Sequence, residues 1–166
     1  ARGVKVLGTV SSAEKEALAL AAGASHVIRY DREDFQERVL ELTENKKCQV
    51  VYDGVGLSTF EGSLNCLAPR GTLALFGASS GAVPTFELQR LATLGSLIIT
   101  RPTLAHFIRN REELDWRCKE IFRDITSGAL NISIAGQYFL EDAATAHRDL
   151  ESRITSGKLL LEIGFN

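Results

Sequence analysis

The sequence predicts an α/β fold built on a doubly wound parallel sheet. Three observations carry the prediction. Short runs rich in Val, Ile and Leu alternate along the chain with segments of helical periodicity. The runs are apolar almost throughout, as strands covered on both faces are. The stretches between them are long enough for helical crossovers, which parallel pairing requires.

Residues 4–10 form the first strand, closed by Ser11 and Ser12. Ser12 is placed to cap the alanine- and leucine-rich helix 13–22, and Gly23 stands where a glycine ends a helix. A second strand, 26–30, ends in Tyr30, and a helix follows over 34–44, with Phe35, Val39 and Leu42 at helical spacing. The third strand is 49–53, a short helix 59–67, the fourth strand 72–76, a helix 86–93, and the fifth strand 96–100. Thereafter the pattern changes. Residues 111–128 predict a long amphipathic helix with Leu114, Cys118, Ile121, Phe122 and Ile125 on one face and Gly128 as its stop. A strand over 132–138, a helix over 141–153 and a last strand over 158–163 complete the chain, which shows no internal repeat.

With 166 residues, the chain holds one ordinary domain, or one domain and part of another. A hydrophobic share of 45% and only 3 prolines exclude a disordered or collagen-like chain. Nineteen basic against 21 acidic residues, a net charge of -2, give no electrostatic footprint for nucleic acid. No apolar run approaches the ~20 residues of a membrane-spanning helix. Cys48, Cys66 and Cys118 are odd in number and widely spaced, which argues for a reducing compartment rather than a disulfide scaffold. A first residue Ala1 and the absence of methionine predict a piece cut from a longer protein.

Doubly wound sheets bind ligands beyond the carboxyl ends of their strands, so the candidate residues lie there. After the first strand come Ser11, Ser12 and Lys15; in NAD-binding domains the end of the second strand usually carries an acid for the ribose 2′-hydroxyl, and an acid would repel a 2′-phosphate. Two hydroxyls and a lysine suit a phosphate monoester instead, although a plain helix cap reads the same way. Tyr30, after the second strand, can stack on an adenine or cover the sheet edge. Asp53-Gly54-Val55-Gly56 looks like the start of a dinucleotide fingerprint, but Thr59 replaces the third glycine. The glycines there predict a close backbone approach, to a cofactor or to a neighbouring loop. Phe76-Gly77-Ala78-Ser79-Ser80-Gly81, after the fourth strand, is small and hydroxyl-rich. His26, His106 and His147 are isolated, no cysteine pair has zinc-ligand spacing, and neither a Gly-x-Ser-x-Gly elbow nor a Gly-Lys-Ser/Thr loop occurs.

Taken in order, these segments resemble the quinone oxidoreductase (zeta-crystallin-like) branch of the medium-chain dehydrogenase/reductase superfamily. The matching stretches include Gly8-Thr9-Val10-Ser11-Ser12 with Lys15, 23–30, 50–56, 76–81, Thr100-Arg101-Pro102-Thr103-Leu104, 146–153 and 157–161. They cover essentially the whole chain in one register. The resemblance implies a Rossmann-like fold whose first strand, Gly-rich loop and catalytic domain lie upstream of Ala1, with Ala1-Arg2-Gly3 ending the helix after that loop. It implies residues 1–130 as an NADP-binding domain and 131–166 as a segment rejoining the catalytic domain. It also implies a cytoplasmic, zinc-free reductase of quinones or related α,β-unsaturated carbonyls with NADPH as cofactor. By position, Ser11, Ser12 and Lys15 match the 2′-phosphate site and Tyr30 the adenosine contact. Phe76, Gly77, Ala78 and Ser79 with Thr100, Arg101 and Pro102 lie along the nicotinamide half. Gly54 stands where relatives often have serine. No catalytic acid or base carries over. A non-catalytic nucleotide-binding or structural, crystallin-like protein is the alternative. The fifth strand, Ser96-Leu97-Ile98-Ile99-Thr100, is an edge in the family's strand order and has no protecting charge or proline, which predicts a homodimer through it.

Overall fold

Parallel strands joined by helices build the first of the two units into which the chain divides, 3–114; the second comprises 115–164 among the described residues. The computed structural model describes residues 3–152 and 155–164. Ala1 and Arg2, expected at a helix end, and Arg153, expected to close the last helix, lie outside the described residues.

In the first unit, β1 (Leu7–Val10), α1 (Ala13–Ala21), β2 (His26–Arg29), α2 (Phe35–Leu42) and β3 (Cys48–Asp53) follow one another. Then come α3 (Phe60–Asn65), β4 (Leu67–Leu75), α4 (Gln89–Thr93) and β5 (Ile98–Thr100). All pairing is parallel: β1 lies beside β2, with Leu7 opposite His26 and Val10 opposite Arg29, and β3, β4 and β5 form a second sheet in that order. β1 and β3 do not pair with each other. Tyr52 of β3 is 77% exposed.

Two apolar clusters hold the unit together. Ile28, Val39 and Cys66 are buried in one, with Leu7, Phe35, Leu42, Cys48 and Val51 packed against them. Side chains from both sheets therefore meet beneath α2. Gly62 allows this, because a Cβ there would overlap the Phe35 ring. The other cluster buries Phe60, Leu64, Leu67, Leu73, Leu75 and Leu97. Phe86 meets Phe60 edge-on, with ring centroids 5.3 Å apart.

β1 starts at Leu7 rather than at residue 4, and β4 and β5 also differ from expectation at their starts. β4 begins five residues before the expected 72, because Leu67 already stands opposite Cys48. The ladder resumes at Val50 opposite Thr72 after a bulge, with Arg70 at φ +63 donating its N–H to the Gly95 carbonyl at 2.7 Å. β5 spans only Ile98–Thr100, because Ser96 sits at φ +58 and Leu97 is drawn into the core.

α5 (Arg111–Thr126) starts in the residues of the first unit and ends in those of the second. None of its side chains is fully buried: Phe122, on the expected apolar face, is 63% exposed. In the second unit β6 (Ile134–Phe139), α6 (Ala143–Glu151) and β7 (Lys158–Glu162) form a parallel βαβ arrangement. The Tyr138 hydroxyl donates to Asp149 at 2.8 Å and ties β6 to α6.

Candidate functional site

At the carboxyl end of β1 the chain turns into α1 through Ser11 and Ser12. Ser12 is extended and its Oγ accepts from the Lys15 N–H at 3.3 Å, so it caps α1 as the sequence predicts. The cap uses the oxygen as acceptor and leaves the hydroxyl proton free to donate. Ser11 makes no side-chain hydrogen bond, and Lys15 no ion pair, with any of the described residues. β2 brings Tyr30 alongside: its N–H donates to the Val10 carbonyl at 3.2 Å, one residue before Ser11. The Tyr30 ring is 55% exposed. Ser11, Ser12, Lys15 and Tyr30 are thus gathered at the end of one two-stranded sheet.

An acid stands beside this group that the sequence reading passed over. Asp31 follows Tyr30, where a free carboxylate would repel a phosphate. Arg29 grips it through two bonds, Nε to Oδ1 at 2.8 Å and Nη2 to Oδ2 at 2.6 Å. The Arg29 hydrogen bond holds the Asp31 carboxyl below its usual range against the cost of desolvation. Glu16 also reaches Arg29, at 3.9 Å. Asp31 and Glu16 are therefore both paired with Arg29, whereas Lys15 has no ion pair among the described residues.

The second sheet presents its own cluster at the ends of β3, β4 and β5. Asp53 closes β3 and is 4% exposed. Its carboxylate accepts from the N–H groups of Val55 and Gly56, at 2.8 and 3.0 Å, from Thr59 Oγ1 at 2.8 Å and from Ser63 Oγ at 2.7 Å. Burial pushes this carboxyl up, but the bonds from Gly56, Ser63, Thr59 and Val55 outweigh it and hold it below the ordinary value. The Asp-Gly-x-Gly sequence is thus a turn folded around its own aspartate. Asp before Gly with hydroxyls six and ten residues on is the signal that points to it.

Both glycines of that turn are needed for contact with the next strand end. A Cβ on Gly54 would come within 2.9 Å of the Phe76 ring. Gly56 has φ +90, and a Cβ there would stand 2.7 Å from the Gly81 carbonyl oxygen. The neighbouring loop thus makes one of the two close approaches that the sequence left open. Phe76 and Gly77 donate their N–H groups to the Asp53 carbonyl, at 2.9 and 3.3 Å. The Phe76 ring is 56% exposed, and Ala78 and Ser79 are exposed beyond it. Arg101 follows Thr100, which stands opposite Ala74, and its Nη1 donates to the Leu75 carbonyl at 2.9 Å. Gly54, Phe76, Gly77, Ala78, Ser79, Thr100, Arg101 and Pro102 therefore surround the ends of three adjacent strands.

Behind Gly77 and Ala78 lies a cavity of about 530 Å³, lined mainly by apolar side chains including Phe60, Val83, Phe86 and Ile99, with Arg101 at its polar side. Among the described residues no three His, Cys, Asp or Glu side chains stand close enough together to hold a metal ion. No helix among the described residues is long and apolar enough to cross a membrane.

Residues 1–122 match a family model described as zinc-binding dehydrogenase. Quinone oxidoreductase 1 of Escherichia coli (strain K12) is 49% identical over 163 residues, 97% of this chain and 50% of that protein. A mycobacterial protein solved in complex with NADPH superposes with a TM-score of 0.87 at 51% identity, over 96% of this chain and 50% of its own. The Escherichia coli quinone oxidoreductase complexed with NADPH gives a TM-score of 0.88 at 47% identity, over 96% of this chain and 50% of that one. The chain spans about half the length of these relatives.

Proposed function

The chain belongs to the zinc-binding dehydrogenase family, and on that premise we propose that it is the nucleotide-binding part of an NADPH-dependent quinone oxidoreductase. Residues 1–130 serve as the NADP-binding domain and 131–166 rejoin a catalytic domain. The observation that carries the reading is that Lys15, which has no ion pair among the described residues, opens α1 next to Ser11 and Ser12, its backbone N–H bonded to the Ser12 hydroxyl oxygen, while Asp31 after the neighbouring β2 is paired with Arg29.

In this reading Lys15, Ser11 and Ser12 bind the 2′-phosphate, and the exposed face of Tyr30 takes the adenine. The loop of Phe76, Gly77, Ala78 and Ser79, with Thr100, Arg101 and Pro102, borders the nicotinamide. Arg101 keeps the end of β4 closed by its bond to the Leu75 carbonyl, and Gly54 keeps the Phe76 ring close over the turn. NADPH, when bound, supplies a hydride to the electrophilic carbon of a quinone or related enone. The residues of this chain supply position rather than acid–base chemistry.

The full-length protein is expected to act in the cytoplasm as a homodimer joined along β5. Ile98 on that free edge is 54% exposed. The test is turnover of a 1,4-quinone by the full-length protein, followed as loss of NADPH absorbance. Nucleotide binding without turnover would favour a non-catalytic role instead.

A further inference from the structure

Cys48 and Cys66 take no part in the strand-end site, yet the fold sets them side by side. Cys48 opens β3, and Cys66 caps the end of α3 immediately before β4. The Cys48 N–H donates to the Cys66 carbonyl at 2.9 Å. Leu67 stands directly opposite Cys48, so Cys66 is one residue off register; a strand spacing of ~4.8 Å and a rise of ~3.3 Å put the two Cα atoms roughly 6 Å apart, inside the ~4.4–6.8 Å that a disulfide spans. Both side chains also belong to one cluster: Cys48 packs against the buried group of Ile28, Val39 and Cys66, whereas Leu67, the residue after Cys66, belongs to the other core. Both are free thiols. Cys66 is 3% exposed, and Cys48 is partly open to solvent.

We propose that Cys48 and Cys66 form an oxidisable dithiol, which a low-molecular-weight disulfide converts to an intrachain Cys48–Cys66 bridge. Cys48, the accessible member, loses its proton, and its thiolate attacks one sulfur of the reagent RSSR. A Cys48–S–S–R bond forms and RS⁻ leaves, taking up a proton. Cys66 then gives up its proton and attacks the Cys48 sulfur, breaking the bond to R and releasing a second RSH. Two protein thiols are oxidised to one disulfide and RSSR is reduced to two RSH. Burial pushes both thiols up, Cys66 to about 12, where the neighbouring Cys48 adds to the effect. The bridge therefore forms slowly at neutral pH and faster as pH rises, because only the thiolate attacks. Once formed, it ties the start of β3 to the end of α3 and encloses the Asp53 turn.

The test uses the reduced full-length protein, incubated natively with oxidised glutathione at mildly alkaline pH, acid-quenched, unfolded, alkylated and digested with trypsin. Cleavage after Lys47 and Arg70 leaves both cysteines on one peptide, 48–70, which has no internal Lys or Arg. The expected product is that peptide without alkyl groups and two hydrogens lighter than its reduced form, appearing faster as pH is raised. Full alkylation at both positions would overturn the proposal. So would a glutathione adduct that persists on Cys48 beside an alkylated Cys66, or a bridge to Cys118. In Cys66→Ser the adduct at Cys48 is expected to accumulate unresolved; should this variant not fold, the wild-type peptide alone decides.

Discussion

Removing the Asp53 carboxylate strikes the hinge of the strand-end cluster, and its cost follows from the bonds it accepts. Asp53→Ala leaves four donors without their acceptor: the N–H groups of Val55 and Gly56 and the hydroxyls of Thr59 and Ser63. A buried donor left unsatisfied costs ~1–3 kcal/mol. The bonds from Gly56 and Ser63 are buried, while the Val55 N–H and the Thr59 hydroxyl are only partly so and can turn to water. Counting the two buried donors in full gives about 2–6 kcal/mol for Asp53→Ala. Asp53→Asn keeps the shape and one accepting oxygen and is expected to cost roughly half as much. Urea unfolding followed by circular dichroism measures both. The pH dependence has a definite sign. The folded carboxyl lies below its unfolded value, so the stability it contributes is complete above ~pH 4 and is lost as pH falls through the lower folded value. The gap between wild type and Asp53→Asn should stay constant in the neutral range and narrow in acid. A variant within ~0.5 kcal/mol of wild type at neutral pH, or a gap that widens in acid, would refute the reasoning.

Further outcomes are expected of the full-length protein. Lys15→Ala should raise KM for NADPH roughly tenfold, about 1.4 kcal/mol for a partly exposed charge-assisted contact, and leave KM for NADH nearly unchanged; equal effects on both reject the phosphate role. Chelation with EDTA should leave turnover intact, and loss of activity restored by zinc would contradict the assignment. Ile98→Lys should convert a dimer to monomers in size exclusion with light scattering; a dimer untouched by the substitution, or a wild-type monomer at micromolar concentration, rejects the β5 seam.

The strands and most helices were legible because their signals are local. Apolar runs mark β1 to β5, and Ser12 and Gly23 bracket α1 as cap and stop. Other features arise from contacts that no short window contains. The early start of β4 depends on Leu67 meeting Cys48 across the sheet, and the late start of β5 on Leu97 turning into the core. Ser11, Ser12 and Lys15 could be picked out as a group because they follow one strand. The neutralisation of Asp31 by Arg29 needed the fold, since both charges look free in the sequence. The glycines of the Asp53 turn announced a close approach, but only the structure shows that Phe76 and Gly81 fill it.

On the proposed function, the end of β1 recognises a ribose 2′-phosphate. Calorimetric titration of the full-length protein with adenosine 2′,5′-bisphosphate, and separately with adenosine 5′-monophosphate, tests it most directly. The bisphosphate is expected to bind at least roughly tenfold tighter, as one charge-assisted phosphate contact allows, and Lys15→Ala to erase the difference. Equal affinities for the two nucleotides in the wild-type protein would contradict it.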